Sequence, residues 1–187
     1  MKFNVNKITG FHAIAPVSIY DKKGREFYIK NESSLPDGGV FFNLPRGEYV
    51  TDNKLRQLPI PVNYECPPIP PFEKVRKVPK IRIVIKPNPH KCSVYYNTGK
   101  IVIDPAFANQ ALPKLKHILY HEIGHFRYNT EYKCDIFSCR EMLKNGFNPS
   151  QCIKVMLHNL SSDKEATLER TTKNLEYLEK VKTWVTE

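Results

Sequence analysis

Apolar and polar positions alternate only in short stretches over residues 1–58. Segments 11–20 and 26–30 read as strands on either side of Asp21-Lys22-Lys23-Gly24, a turn sequence, and predict a hairpin. A second pair, 40–43 and 48–51, flanks Leu44-Pro45-Arg46-Gly47 and predicts another. Strands this few and short predict a small β module that leans on another part of the molecule. Beyond residue 80 the period changes. Ile81–Ile85 reads as a strand, and Cys92–Tyr96 with Lys100–Asp104 predicts a hairpin about Asn97-Thr98-Gly99. Leu115, Ile118, Leu119, Ile123 and Phe126 then follow the three-and-four spacing of one helical face, behind Pro113 in the first turn. Thr130 caps a second helix that stops near Asn145-Gly146, and Asn148 caps a third with Pro149 in its first turn. The capping box Ser162-Asp163-Lys164-Glu165 opens a last helix, whose apolar stripe is Leu168, Leu175, Leu178, Val181 and Val185.

Between these halves the pattern is set by proline. Residues 59–89 hold nine of the 15 prolines, including Pro67-Pro68-Ile69-Pro70-Pro71. Proline fixes φ and cannot donate to a ladder, so this stretch is expected to be extended, as a stiff spacer or a strap on another surface. The organisation expected is therefore an α+β protein in three parts. Residues 1–58 form an N-terminal β module and 59–80 a proline-rich connector. Residues 81–187 form a domain with a small β-sheet followed by a helical C-terminal half.

Composition narrows the class. Hydrophobic residues make up 41% and charged residues 26% of the 187, which is ordinary for a folded chain. No apolar run reaches the ~18 residues of a membrane span, and the N-terminus lacks the apolar stretch of a signal peptide. Five cysteines without compact spacing do not suggest a disulfide framework, so a reducing setting is expected, the cytoplasm or the interior of a virus particle. The net charge of +10 lies wholly in residues 1–128, with 20 basic and 10 acidic side chains against nine of each in 129–187. The lysines and arginines are scattered, so a solvated or partner-facing surface is expected and direct nucleic-acid binding is not.

The chemistry concentrates in His121-Glu122-Ile123-Gly124-His125, inside the expected helix. Four residues make nearly one helical turn, so both imidazoles project from one face and can supply two nitrogens to one tetrahedral metal. Glu122 is set to the side, within reach of a water on that metal, whose proton it can take. Nearby groups have simpler readings: Cys134, Cys139, Cys152 and Met156 as packing; Tyr128 and Tyr132 as packing with exposed hydroxyls, with donation to a tetrahedral intermediate as the alternative; and His117, one turn before His121, as an ordinary surface or supporting histidine, with lining the cleft as the alternative. His12, His90 and His158 show no ligand spacing.

On these residues the chain resembles the zincin class of HExxH metallopeptidases, over roughly residues 81–145. The resemblance implies Zn²⁺ held by His121 and His125, Glu122 as general base, and the Cys92–Asp104 hairpin as upper rim of a peptide cleft. It leaves the third ligand open. Metzincins continue with a glycine and then His or Asp, where this chain has Tyr128 and Glu131. Gluzincins use a glutamate with an aspartate four residues on, which Glu131 and Asp135 imitate, although theirs lies much farther along the chain. If the first helix ends near Tyr128 and the next returns antiparallel, the ~1.5 Å rise per residue sets Asp135 beside His125 and Glu131 about 5 Å beyond it. That geometry favours Asp135 as third ligand, in an aspzincin-like arrangement, with Glu131 as the alternative.

Two functions are therefore expected. One is a zinc metallopeptidase, a hydrolase whose partner is a peptide or protein substrate. The other is a structural assembly component on a zincin-like scaffold, such as a phage virion ring or neck protein. There the N-terminal β module and residues 59–80 would contact protein partners in a homo-oligomer or larger assembly.

Overall fold

The computed structural model describes residues 1–73, 80–161 and 168–184. It is a mixed α+β protein with its helices in the C-terminal half. Six strands and a short seventh occupy the first part: β1 (Lys2–Val5), β2 (Thr9–Ile14), β3 (Val17–Asp21), β4 (Glu26–Lys30), β5 (Gly39–Leu44), β6 (Gly47–Val50) and β7 (Arg56–Gln57). They build two antiparallel sheets, β1-β6-β3-β4 and β5-β2-β7. The β3–β4 hairpin forms about Asp21–Gly24, with Gly24 at φ 75°, where a side chain would be strained.

The second expected hairpin does not form. β5 and β6 lie where the pattern puts them but enter different sheets, β5 beside β2 and β6 between β1 and β3. Residues Leu44–Gly47 thus carry the chain from one sheet to the other, and Tyr49 fixes that corner by donating its hydroxyl to Pro45 O at 2.8 Å. Aromatic rings fill the gap between the sheets. Phe3 sits 6.1 Å from Phe11, Tyr28 4.9 Å from Phe42, and Phe27 4.9 Å from Tyr49.

The same core continues into the helices. These are α1 (Pro105–Ala108), α2 (Leu112–Gly124), α3 (Glu131–Lys144), α4 (Pro149–Ser161) and α5 (Leu168–Glu179). Ile136, Cys139, Met142 and Leu143 of α3, Cys152 and Met156 of α4, and Tyr177 and Leu178 of α5 pack in one cluster with Val17, Ile19, Phe42 and Leu44. The N-terminal sheets lean on the helices by sharing their interior. A polar stitch crosses the same boundary. Asn43 N donates to Asn148 Oδ1 at 2.9 Å, and Asn148 Nδ2 returns to Asn43 O at 3.1 Å. Asn148 thus spends its side chain on β5, while Gln151 Oε1 accepts from Asn148 N at the start of α4.

A third sheet, β10-β11-β9, covers α2. It comprises β9 (Arg82–Ile85), β10 (Cys92–Tyr95) and β11 (Lys100–Ile103), with β9 parallel and β10 antiparallel to β11. Ile101 and Ile103 bury against Leu119, joined by Leu115 and Ile123.

The proline-rich segment lies on its own chain. Within it β8 (Asn63–Glu65) pairs with β12 (Lys182–Trp184), a strand where a continued helix was expected after Glu179. Tyr177 donates its hydroxyl to Pro67 O at 3.2 Å, Tyr128 donates to Pro70 O at 2.8 Å, and Glu73 N donates to Arg127 O at 2.9 Å. The Glu73 carboxylate accepts from Asn129 N and pairs with Lys133. This segment is therefore a brace over the α2–α3 turn and α5. The expected capping box at residues 162–165, and Val185, lie outside the described residues. No helix among the described residues is long and apolar enough to cross a membrane.

Candidate metal centre

The site is built where α2 and α3 touch. Gly124, inside the histidine motif, makes this approach feasible: a Cβ there would lie 3.0 Å from Cys134 Cα and 3.1 Å from its Cβ. With no side chain at 124, the first turn of α3 comes up beside the histidines. Thr130 precedes that turn in extended conformation, as expected of the residue that starts the helix.

His121 and His125 face one another, ring centroids 4.9 Å apart, with their Nε2 atoms separated by 3.2 Å. Glu131 closes the triangle, Oε2 3.1 Å from His121 Nε2 and Oε1 3.5 Å from His125 Nε2. All three donors lie within 4.8 Å of one another, and this half-buried group can hold a metal ion. Two imidazoles and a carboxylate are a donor set that suits a metal ion.

Asp135 takes the other side of His121. Its Oδ1 accepts from His121 Nδ1 at 2.7 Å, which leaves Nε2 turned toward Glu131 and His125. The expected order of the two acids is thereby reversed: Glu131 faces both Nε2 atoms and Asp135 orients a histidine. The close approach of the two helices at Gly124 brings the first turn of α3 up to the imidazoles, so Glu131 sits beside them.

Asp135 is itself clamped. Arg170 donates to it from Nε at 2.8 Å and Nη2 at 3.1 Å, and Asn174 Nδ2 donates at 2.8 Å. Arg170 Nη2 also lies 3.6 Å from Glu131 Oε2. These two α5 residues escape the sequence reading. The available signal is Asn174, a polar residue on the apolar stripe four positions before Leu178, 1% exposed. His125 rests its Nδ1 3.4 Å from Cys134 Sγ.

The electrostatics follow from this packing. Burial opposes charge on the His121 ring, but its bonds to Asp135 and Glu131 prevail and push its pKa up to about 9. Burial also works against an anionic Asp135, yet His121 and Arg170 hold that carboxyl well below the usual range. The bond to His121 lowers Glu131 against a smaller burial effect. Glu122 moves the other way: burial raises it, Glu131 adds to the rise, and His121 opposes it. A metal ion held here would compete with the proton for His121 Nε2.

A cavity of about 460 Å³ opens onto this cluster and includes Glu122 in its wall. Phe107, Ile118, Met156 and Leu160 form its apolar side, and Lys91 and Cys92, at the start of β10, its rim. Lys91 is a non-glycine residue at φ 63°, held there between Asp104 N, which donates to its carbonyl, and the Asn88 turn. His90 and His117 also line the cavity, His117 as its place one turn before His121 allows and His90 without any ligand spacing. His117 is 2% exposed rather than superficial, with Nδ1 3.1 Å from Asn159 Nδ2. Tyr128 and Tyr132 do not line it: the first is bonded to Pro70 and the second stacks under Lys173 at 4.6 Å. Comparison of the chain with protein-family models, curated proteins and solved structures finds no match.

Proposed function

We propose that this chain is a zinc-dependent peptidase of the zincin type, acting on a peptide laid between the β10 edge and α2. The observation that carries this reading is the convergence of His121, His125 and Glu131 beside Glu122 in one cavity. Histidine and carboxylate donors in this number suit zinc. When bound there, zinc supplies a Lewis acid that polarises a scissile carbonyl and acidifies water.

The chain's own groups do the rest. Glu122 accepts the proton of the attacking water and passes it to the leaving amine, and its raised pKa suits both transfers. Asp135 keeps His121 turned with Nε2 toward the site. Among the described residues β10 pairs only with β11, so its outer edge has backbone groups to offer an extended peptide. The apolar wall of Phe107, Ile118, Met156 and Leu160 receives a side chain next to the cleaved bond.

The test is one substitution with two readouts. Elemental analysis is expected to find one zinc per chain in both wild type and Glu122→Gln. Turnover of a mixed fluorogenic peptide set is expected to fall about 10²–10⁴-fold in the variant. A wild type that takes up no zinc removes the reading, and so does a variant that cleaves as fast as wild type.

A further inference from the structure

Arg170 and Asn174 lie one turn apart on α5, the helix farthest along the chain from the histidine motif, and both aim at Asp135. Their geometry is costly to maintain. The Arg170 side chain is only 11% exposed, and Asn174 Oδ1 is buried without a hydrogen-bond partner among the described residues. A buried amide keeps an orphaned carbonyl only where its other end makes a bond worth more. Here that bond is Nδ2 to Asp135 Oδ2; turned over, the amide would set its oxygen against the carboxylate. Arg170 grips both oxygens of Asp135 and reaches toward Glu131 as well, so one guanidinium sits between the acid that orients His121 and the acid that faces the metal position.

We propose that α5 is the element that sets metal affinity in this chain, with Arg170 and Asn174 as positioning residues that hold Asp135 against His121 Nδ1 and steady Glu131. The inference rests on the metal-site reading above and extends it to a helix outside the histidine motif. It acts through orientation. Asp135, fixed by three donors from α5 and one from α2, presents a single lone pair to His121, so the imidazole is held with Nε2 toward Glu131 and His125. Without the clamp the carboxylate turns freely, and the histidine samples orientations that point its nitrogen away.

The experiment measures zinc affinity by competition with a chromogenic chelator, together with the His121 Nδ1–H resonance in the zinc-loaded protein. Arg170→Gln and Asn174→Leu are each expected to weaken zinc binding about 10–100-fold. Both are also expected to broaden or shift that resonance, while Lys173→Gln, on the exposed face of α5, leaves both unchanged. Arg170→Lys keeps the charge but loses the two-pronged grip, and is expected to recover less than half of the loss on a logarithmic scale. If Arg170→Gln does not fold, Asn174→Leu gives the same readouts. Wild-type affinity and an unmoved resonance in Arg170→Gln or Asn174→Leu overturn the proposal. Complete recovery by Arg170→Lys also overturns the positioning role. A wild type that binds no zinc instead removes the metal-site reading itself, so the two failures are distinct.

Discussion

The two halves of this molecule bury different kinds of side chain. Between the N-terminal sheets the interior is rings and branched aliphatics, with Asn43 and Thr51 as the buried polar residues. In the helical half, His117, Asp135, Ser138, Asn148, Gln151 and Asn174 are buried as well. The difference separates two tasks. A shape-filling apolar core gives stability without caring which atom faces which. A polar network costs desolvation unless every member is bonded, so it is kept where atoms must be aimed. The aromatic half is the foundation and the polar half is the instrument.

Three changes test that division, beginning with the largest. Phe42→Ala empties a fully buried position between the sheets and is expected to cost about 3–5 kcal/mol in urea denaturation, with zinc affinity of the folded protein unchanged. A parallel loss of affinity would show that the two tasks are not separate. Gly124→Ala adds a methyl 3.0 Å from Cys134 Cα; it is expected to cost about 1–3 kcal/mol and to weaken zinc binding by moving Glu131 away from the imidazoles. Unchanged binding would show that α3 need not approach so closely.

The third test is a pH dependence. In the metal-free protein His121 is raised to about 9 from its ordinary 6.5, so its contribution to stability is complete below about pH 6.5 and is lost as pH rises through 9. Asp135, lowered, contributes above the normal aspartate pKa, and that share is lost as pH falls below it. Denaturation midpoints of metal-free protein are therefore expected to decline between pH 6.5 and 9. Added zinc is expected to reverse the trend, since the proposed site would take it only with the ring deprotonated and its stabilisation would grow over the same range. His121→Gln should flatten both curves, and a wild-type curve already flat would remove the coupling.

Much of this was legible in the sequence because it is local. Asn145 and Gly146 stop α3 by local backbone chemistry that needs no tertiary information, Thr130 marks its start in extended conformation without a side-chain cap bond, and four-residue spacing puts His121 and His125 on one face. What escaped depends on partners far away in the chain. β5 and β6 have the alternation of a hairpin, but their neighbours are β2 and β1, and no local signal distinguishes those pairings. β8 meets β12 across more than a hundred residues, so no local signal chooses between the spacer and the strap that the proline-rich stretch allows. The order of the two acids turned on how closely α3 approaches α2 at Gly124, which sets Glu131 against both Nε2 atoms and Asp135 against His121 Nδ1.

The placement of Arg170 on α5 also orders events in time. A ribosome adding about 5–20 residues per second delivers His121 and His125 several seconds before Arg170 and Asn174. During that interval a nascent chain carries the imidazoles without the clamp that aims them. On the proposal above, tight capture of a cation would be a late event in the chain's biogenesis, reserved for polypeptide that has already translated and docked its distal helix.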